Sequence, residues 1–151
     1  MTDLRSLAGL DALRRVIDGK HPGPTIARTL NFRLVAVEHG KATFRGTPGG
    51  DVLNPVGLVH GGWYGAILDS ALGCAVHSSL AAGEAYVTLE YKVNLTRAIP
   101  PGMQVEAIGQ LDHRGRSTGV ATAELRGLED GKLYATGSTT CMIFPAPPPK
   151  G

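Results

Sequence analysis

Asp69 is the only aspartate, glutamate, lysine or arginine between Val52 and Gly83. A carboxylate in so uncharged a stretch is costly to ionise unless donors or water reach it. Such a group suits a general base or nucleophile with a displaced pKa; a structural aspartate bonded to backbone suits the same position. His60-Gly61-Gly62 stands where a long apolar segment begins. At the start of a helix the first N–H groups lack partners and the dipole favours developing negative charge. Glycine lets a substrate approach that backbone closely. A carbonyl becoming an oxyanion fits there, and one such donor contributes about 2.7–4 kcal/mol in a transition state. The two glycines equally permit a tight turn. Asn54, in Leu53-Asn54-Pro55-Val56-Gly57, offers a neutral donor and acceptor that can orient a water or the carbonyl, or simply the turn chemistry of asparagine before proline.

Within one straight helix, Gly61 and Asp69 are about 12 Å apart at 1.5 Å per residue. One substrate atom cannot touch both. Either the substrate spans the distance, or the acid comes from a second subunit, and the spacing argues for a site at a subunit interface.

The elements that must position these residues follow from periodicity. Gly62–Leu80 is long enough for a five-turn helix and apolar on nearly every side, as expected of a buried helix. It suits a membrane span on length alone, but its polar residues, its glycines and the lack of a second apolar span favour a protein core. Val87, Leu89, Tyr91, Val93 and Leu95 alternate with polar residues, which predicts a strand with one apolar face. Strands are also expected at Asn31–Glu38, Lys41–Thr47, Met103–His113, Ser117–Leu128 and Lys132–Phe144. Turns fall at His39-Gly40, Arg114-Gly115-Arg116 and Glu129-Asp130-Gly131. Leu4, Leu7, Leu10, Leu13 and Ile17 predict an amphipathic helix over 3–18, capped by Thr2 or Asp3 and ended by Gly19 and Pro22, with a short helical turn at 24–29. Residues 1–22 thus form a helix and linker, 23–144 one α+β domain, and the proline-rich 145–151 a disordered or extended tail. One apolar helix needs a sheet to wrap it, so a curved antiparallel sheet around a central helix is predicted. Its free edge favours pairing with a second copy.

Composition narrows the partners. At 42% hydrophobic and 19% charged residues, the 151-residue chain is ordinary globular protein. A net charge of +2, with no basic run, does not indicate a nucleic-acid surface. Cys74 and Cys141 match no zinc or redox spacing and fit free thiols in a reducing cytoplasm. The charged N-terminus lacks the apolar core of a signal peptide.

Asn54-Pro55-Val56-Gly57-Leu58-Val59-His60-Gly61-Gly62 followed by Asp69-Ser70-Ala71-Leu72-Gly73 resembles the hotdog-fold acyl-CoA thioesterases of the phenylacetate-degradation type. The resemblance spans residues 31–144. It implies a hotdog fold, dimers or dimers of dimers, and hydrolysis of acyl-CoA without a metal or other cofactor. It makes Asp69 the base or nucleophile, the Gly61 N–H the donor to the carbonyl, and Asn54 the holder of carbonyl or water. His60 shapes the loop, and Thr88 assists the water from the strand after the helix. The related 4-hydroxybenzoyl-CoA branch carries glutamate at the acid position and threonine one turn later; Asp69 and Gly73 depart from it. Gly62, Trp63, Tyr64, Ile67 and Leu68 are candidate walls of the acyl pocket. Arg114, Arg116 and Ser117 form a basic turn suited to the CoA phosphates, with Lys92 and Arg97 as further candidates. Hydration or dehydration of acyl thioesters, and non-catalytic acyl-CoA binding, are the rival readings.

Overall fold

Six strands and one long helix carry the architecture of the computed structural model, which describes residues 3–148. In chain order they are α1 (Gly9–Ile17), α2 (Thr25–Thr29), β1 (Phe32–Glu38), β2 (Lys41–Gly46), α3 (Gly61–His77), β3 (Glu84–Leu95), β4 (Val105–Arg114), β5 (Thr118–Gly127) and β6 (Leu133–Pro145), preceded by a 3-10 turn at Leu4–Ser6. Every strand pair is antiparallel, in the order β1-β2-β4-β5-β6-β3. This is the hotdog fold that the resemblance implies.

Helix α3 touches every strand of the sheet. Ile67, Leu68, Ala71, Leu72, Ala75 and Val76 have no exposed surface, and each large one contributes roughly 1.5–3 kcal/mol by leaving water. The helix sits so close to β4 that a Cβ on Gly109 would lie 2.2 Å from the Ala71 carbonyl oxygen. Glycine is required there by contact. Among the described residues no helix is long and apolar enough to cross a membrane.

The expected helix over 3–18 is broken. Asp3 caps the 3-10 turn by accepting the Arg5 N–H at 3.0 Å, while Thr2 lies outside the described residues. Leu7 and Ala8 are extended. A continuous helix would join the Gly9 N–H to the Arg5 carbonyl. Instead Gly9 donates to Leu80 at 2.9 Å and Arg5 accepts from Gly83 at 3.1 Å. These two tertiary bonds take up the groups that a helical Gly9–Arg5 bond would pair, and they tie the N-terminal segment to the loop after α3. Leu13 joins the core of the sheet, so residues 3–22 pack on the domain. The tail is also held at its start, with the Ala146 N–H donating to Gly83 at 2.7 Å.

The expected apolar face of β3 is split by a bulge. Thr88 pairs with Cys141 and Glu90 with Thr140, which leaves Leu89 as the extra residue. The buried Thr139 hydroxyl donates to the Glu90 carbonyl at 2.7 Å beside it. After the bulge Tyr91 and Leu95 face α3, as Tyr86 and Thr88 do before it. Val87 is turned out to 43% exposure. As the last strand of the sheet, β3 also leaves Leu89, Tyr91 and Leu95 exposed.

Candidate active site

Asp69 lies half-buried in the third turn of α3, where the Thr88 hydroxyl donates to its Oδ1 at 3.1 Å. Burial pushes the carboxyl above the usual aspartate range, and the Thr88 hydroxyl pulls it partway back. The same desolvation, with the Asp69 charge adding to it, pushes the Cys74 thiol up to about 12. Cys74 and Cys141 are both free thiols.

The helix start is built by its preceding loop. His60 is the N-cap of α3, and its Nδ1 accepts the Gly62 N–H at 2.8 Å. Through that bond the imidazole pairs one of the free N–H groups at the helix start. The His60 backbone N–H donates to the Val52 carbonyl at 2.9 Å. Among the described residues, the N–H of Gly61, the first helical residue, has no acceptor. Asn54 closes the loop twice, its Oδ1 accepting the Val56 N–H at 3.1 Å and the Leu58 N–H at 3.0 Å. Its acceptor is thus spent on structure, and the side-chain NH₂ is the part left for another molecule.

Gly61, Gly65, Asp69 and Gly73 recur every four residues and so share one face of α3. Four side chains of β3 meet that face in reverse order. An added Cβ would find Leu95 at 3.1 Å from Gly61, the Tyr91 hydroxyl at 3.0 Å from Gly65 and the Tyr86 hydroxyl at 2.6 Å from Gly73, with Thr88 bonded to Asp69 between the two tyrosines. Reading the strand as unbroken alternation hides Tyr86 and Thr88 from this seam, because only the bulge turns them inward. The apolar Val56 and Leu58, exposed at 78% and 46%, stand in the Asn54 loop that leads into the same helix.

Four of the five expected pocket residues are buried within the chain. Trp63 and Tyr64 are 2% and 3% exposed, and Ile67 and Leu68 not at all. They occupy the sheet-facing sides of α3 and belong to the core. Trp63 Nε1 donates to the Leu30 carbonyl at 2.8 Å. The Tyr64 hydroxyl donates to the Arg97 carbonyl at 2.9 Å and accepts the Ile99 N–H at 2.8 Å. Gly62 alone of the five is exposed.

The cations expected at the CoA phosphates divide. Arg114 is bonded to Glu84 and to the Gly115 carbonyl, so its charge is compensated within the fold. Arg116 and Ser117 are exposed in the same turn. Lys92 lines a hollow of about 680 Å³ on the outer face of the sheet with Glu106 and Gln110, away from Asp69. Arg97 lies over the Tyr134 ring at 5.9 Å.

Within one chain, then, Gly61 and Asp69 lie on the same side of α3, with their backbones about 12 Å apart along the helix axis. Comparisons with known proteins bear on the family and the fold. The family model described as the thioesterase superfamily matches residues 56–134, which hold His60, Gly61, Asp69 and Thr88. No curated protein matches the chain. Among solved structures, a phenylacetic acid degradation-related protein from Ralstonia eutropha is 33% identical, over 86% of this chain and 98% of its own, with a TM-score of 0.78. The PaaI protein of the E. coli phenylacetic acid degradation operon shares the fold at 22% identity, over 87% and 93% of the two chains, TM-score 0.78. A Streptococcus mutans protein bound to acetyl CoA does so at 24% identity, over 76% and 90%, TM-score 0.70. The family match covers the helix start, the acid and the seam together, and this chain belongs to the thioesterase superfamily.

Proposed function

We propose that this protein hydrolyses the thioester of a small or medium aryl or alkyl acyl-CoA, releasing the free acid and CoA, at two equivalent sites shared between the chains of a cytoplasmic dimer or pair of dimers. The observation that carries this is Asp69: a half-buried, desolvated carboxylate that accepts the Thr88 hydroxyl on an otherwise uncharged helix. In each site the Gly61 N–H of one chain polarises the thioester carbonyl, and Asn54 offers its NH₂ to the carbonyl or the attacking water. Asp69 of the other chain, oriented by Thr88, takes the proton of the water or attacks the carbonyl carbon itself. The C–S bond then breaks and the thiolate leaves, taking up the proton that the water gave up; on the nucleophilic route a water then cleaves the mixed anhydride on Asp69, freeing the acid and restoring the carboxylate. A second copy supplies the missing distance, and the exposed Leu89, Tyr91 and Leu95 on the edge strand give it an apolar surface to cover. No metal or other cofactor takes part in this scheme.

Release of free thiol from a panel of acyl-CoA thioesters, with Asp69→Asn alongside, tests the proposal. Turnover of some member by the wild type and its loss in the variant is expected. Change in enoyl absorbance without thiol release would indicate hydration chemistry instead. Binding without either would indicate a binding module.

A further inference from the structure

We infer that Tyr91 is the specificity-determining residue of the acyl pocket, its ring forming the wall that separates the two sites of a dimer and limits acyl length. This rests on the thioesterase proposal and on simple symmetry. A two-fold interface is reciprocal, so if Gly61 of one chain faces Asp69 of the other, Asp69 of the first faces Gly61 of the second. The helix position midway between 61 and 69 is 65, and it must fall nearest the axis. Gly65 is the residue that the Tyr91 phenol overlies, with Oη 3.0 Å and Cε2 3.3 Å from where a Cβ would be. Tyr91 therefore stands at the meeting point of the two sites, one helical turn from Asp69 in its own chain.

Its chemistry fits a wall. Tyr91 is 45% exposed, so nearly half its surface is available to a ligand or a second copy. Among the described residues its hydroxyl has no protein partner, unlike those of Tyr64 and Tyr134, which are hydrogen-bonded. The other large side chain on this part of the seam, Leu95, lies over Gly61, where the reacting carbonyl belongs. An acyl chain running inward from that carbonyl meets Tyr91 next. The glycine beneath the ring sets how deeply it sits and thereby the room left above it.

The test compares kcat/KM for dodecanoyl-CoA and hexanoyl-CoA. A misfit of one methylene in an apolar pocket is typically worth about 10–200-fold, so Tyr91→Ala should raise the dodecanoyl-to-hexanoyl ratio by about tenfold or more. Tyr91→Phe keeps the ring and should keep the wild-type ratio. Gly65→Ala lifts the ring by a few tenths of an ångström into the pocket and should lower the ratio, which gives an independent arm where Tyr91→Ala fails to assemble. An unchanged ratio in a folded Tyr91→Ala, or in Gly65→Ala, overturns the assignment while leaving the hydrolysis itself standing. A wild-type protein that releases thiol from neither substrate nor from any other acyl-CoA removes the thioesterase proposal instead.

Discussion

The Thr88 hydroxyl reaches Asp69 Oδ1 at 3.1 Å only because Leu89 is bulged out of the β3 ladder. In an unbroken strand with Tyr91 and Leu95 against the helix, period two would place Leu89 and Val87 beside Asp69 and turn Thr88 away. One extra residue exchanges an aliphatic neighbour for a hydrogen-bond donor at the one carboxylate of the helix. The bulge is therefore part of the candidate site as much as any side chain in it.

Replacing Asp69 by asparagine should separate activity from stability. Burial raises the Asp69 carboxyl in the folded chain, so the folded state holds that proton more tightly than the unfolded one. The stabilising effect of protonation is present at low pH and is lost as pH rises from the ordinary aspartate range through the higher folded value. At neutral pH the ionised carboxylate is a net cost, which asparagine lacks while still accepting from Thr88. Asp69→Asn should lower kcat by about 10²–10⁴-fold yet raise Tm at pH 7, with the Tm difference closing in acid. Thermal unfolding across pH checks this, and a Tm below wild type at neutral pH would contradict it.

The pH profile of hydrolysis should report the same carboxyl. A base or nucleophile must be ionised, so kcat/KM should fall on the acid side at a pH above the ordinary aspartate range. Thr88→Val removes the donor that favours the charged form and should move that acid limb to still higher pH. Thr88→Ser keeps a hydroxyl and should return it towards the wild-type position. If the limb stays in place in Thr88→Val, the hydroxyl does not govern the carboxylate.

Much of this arrangement was legible in the sequence because it rests on period and isolation. The apolar stretch around Asp69 marks α3, the alternations mark the strands, and Gly61 at the helix start is visible from its place at the head of that stretch. What was hidden depends on contacts between distant segments. Nothing local at Leu89 announces a bulge, and Thr139, which satisfies the adjacent carbonyl, lies 49 positions from Glu90. The division of the N-terminal helix needs Leu80 and Gly83 as partners. Trp63 and Tyr64 look like pocket walls in sequence, since aromatic residues at a helix start serve either a ligand or a core; only the direction of the wrapping sheet decides between them.

Asn54 should divide into a structural half and a chemical half. Asn54→Ala leaves the Val56 and Leu58 N–H groups without their acceptor, at a cost of about 1–3 kcal/mol, and should lose both stability and turnover. Asn54→Asp keeps an oxygen for those N–H groups and removes the NH₂ donor. It should hold Tm near wild type while kcat drops by about 10²-fold, the usual consequence of losing one transition-state donor. Denaturation curves beside initial rates make the comparison, and full activity in Asn54→Asp would confine Asn54 to the loop.

The basic turn should show a similar division between neighbours. Arg114 holds Glu84, which also accepts the Ala81 N–H at 2.9 Å, so the pair fastens the start of β3 to the β4–β5 turn. Arg116 and Ser117 are exposed in that turn and available to a phosphate. Arg114→Ala should therefore lower stability by up to about 1 kcal/mol, as partly exposed ion pairs do, and leave the KM for acyl-CoA near wild type. Arg116→Ala should leave stability unchanged and raise KM much more than it lowers kcat, since it removes binding common to ground and transition states. Raising salt should weaken substrate binding in the wild type and less so in Arg116→Ala, because a bound phosphate is the screened partner. An unaltered KM in Arg116→Ala at low salt would take this turn out of CoA recognition and return its charge to the solvent.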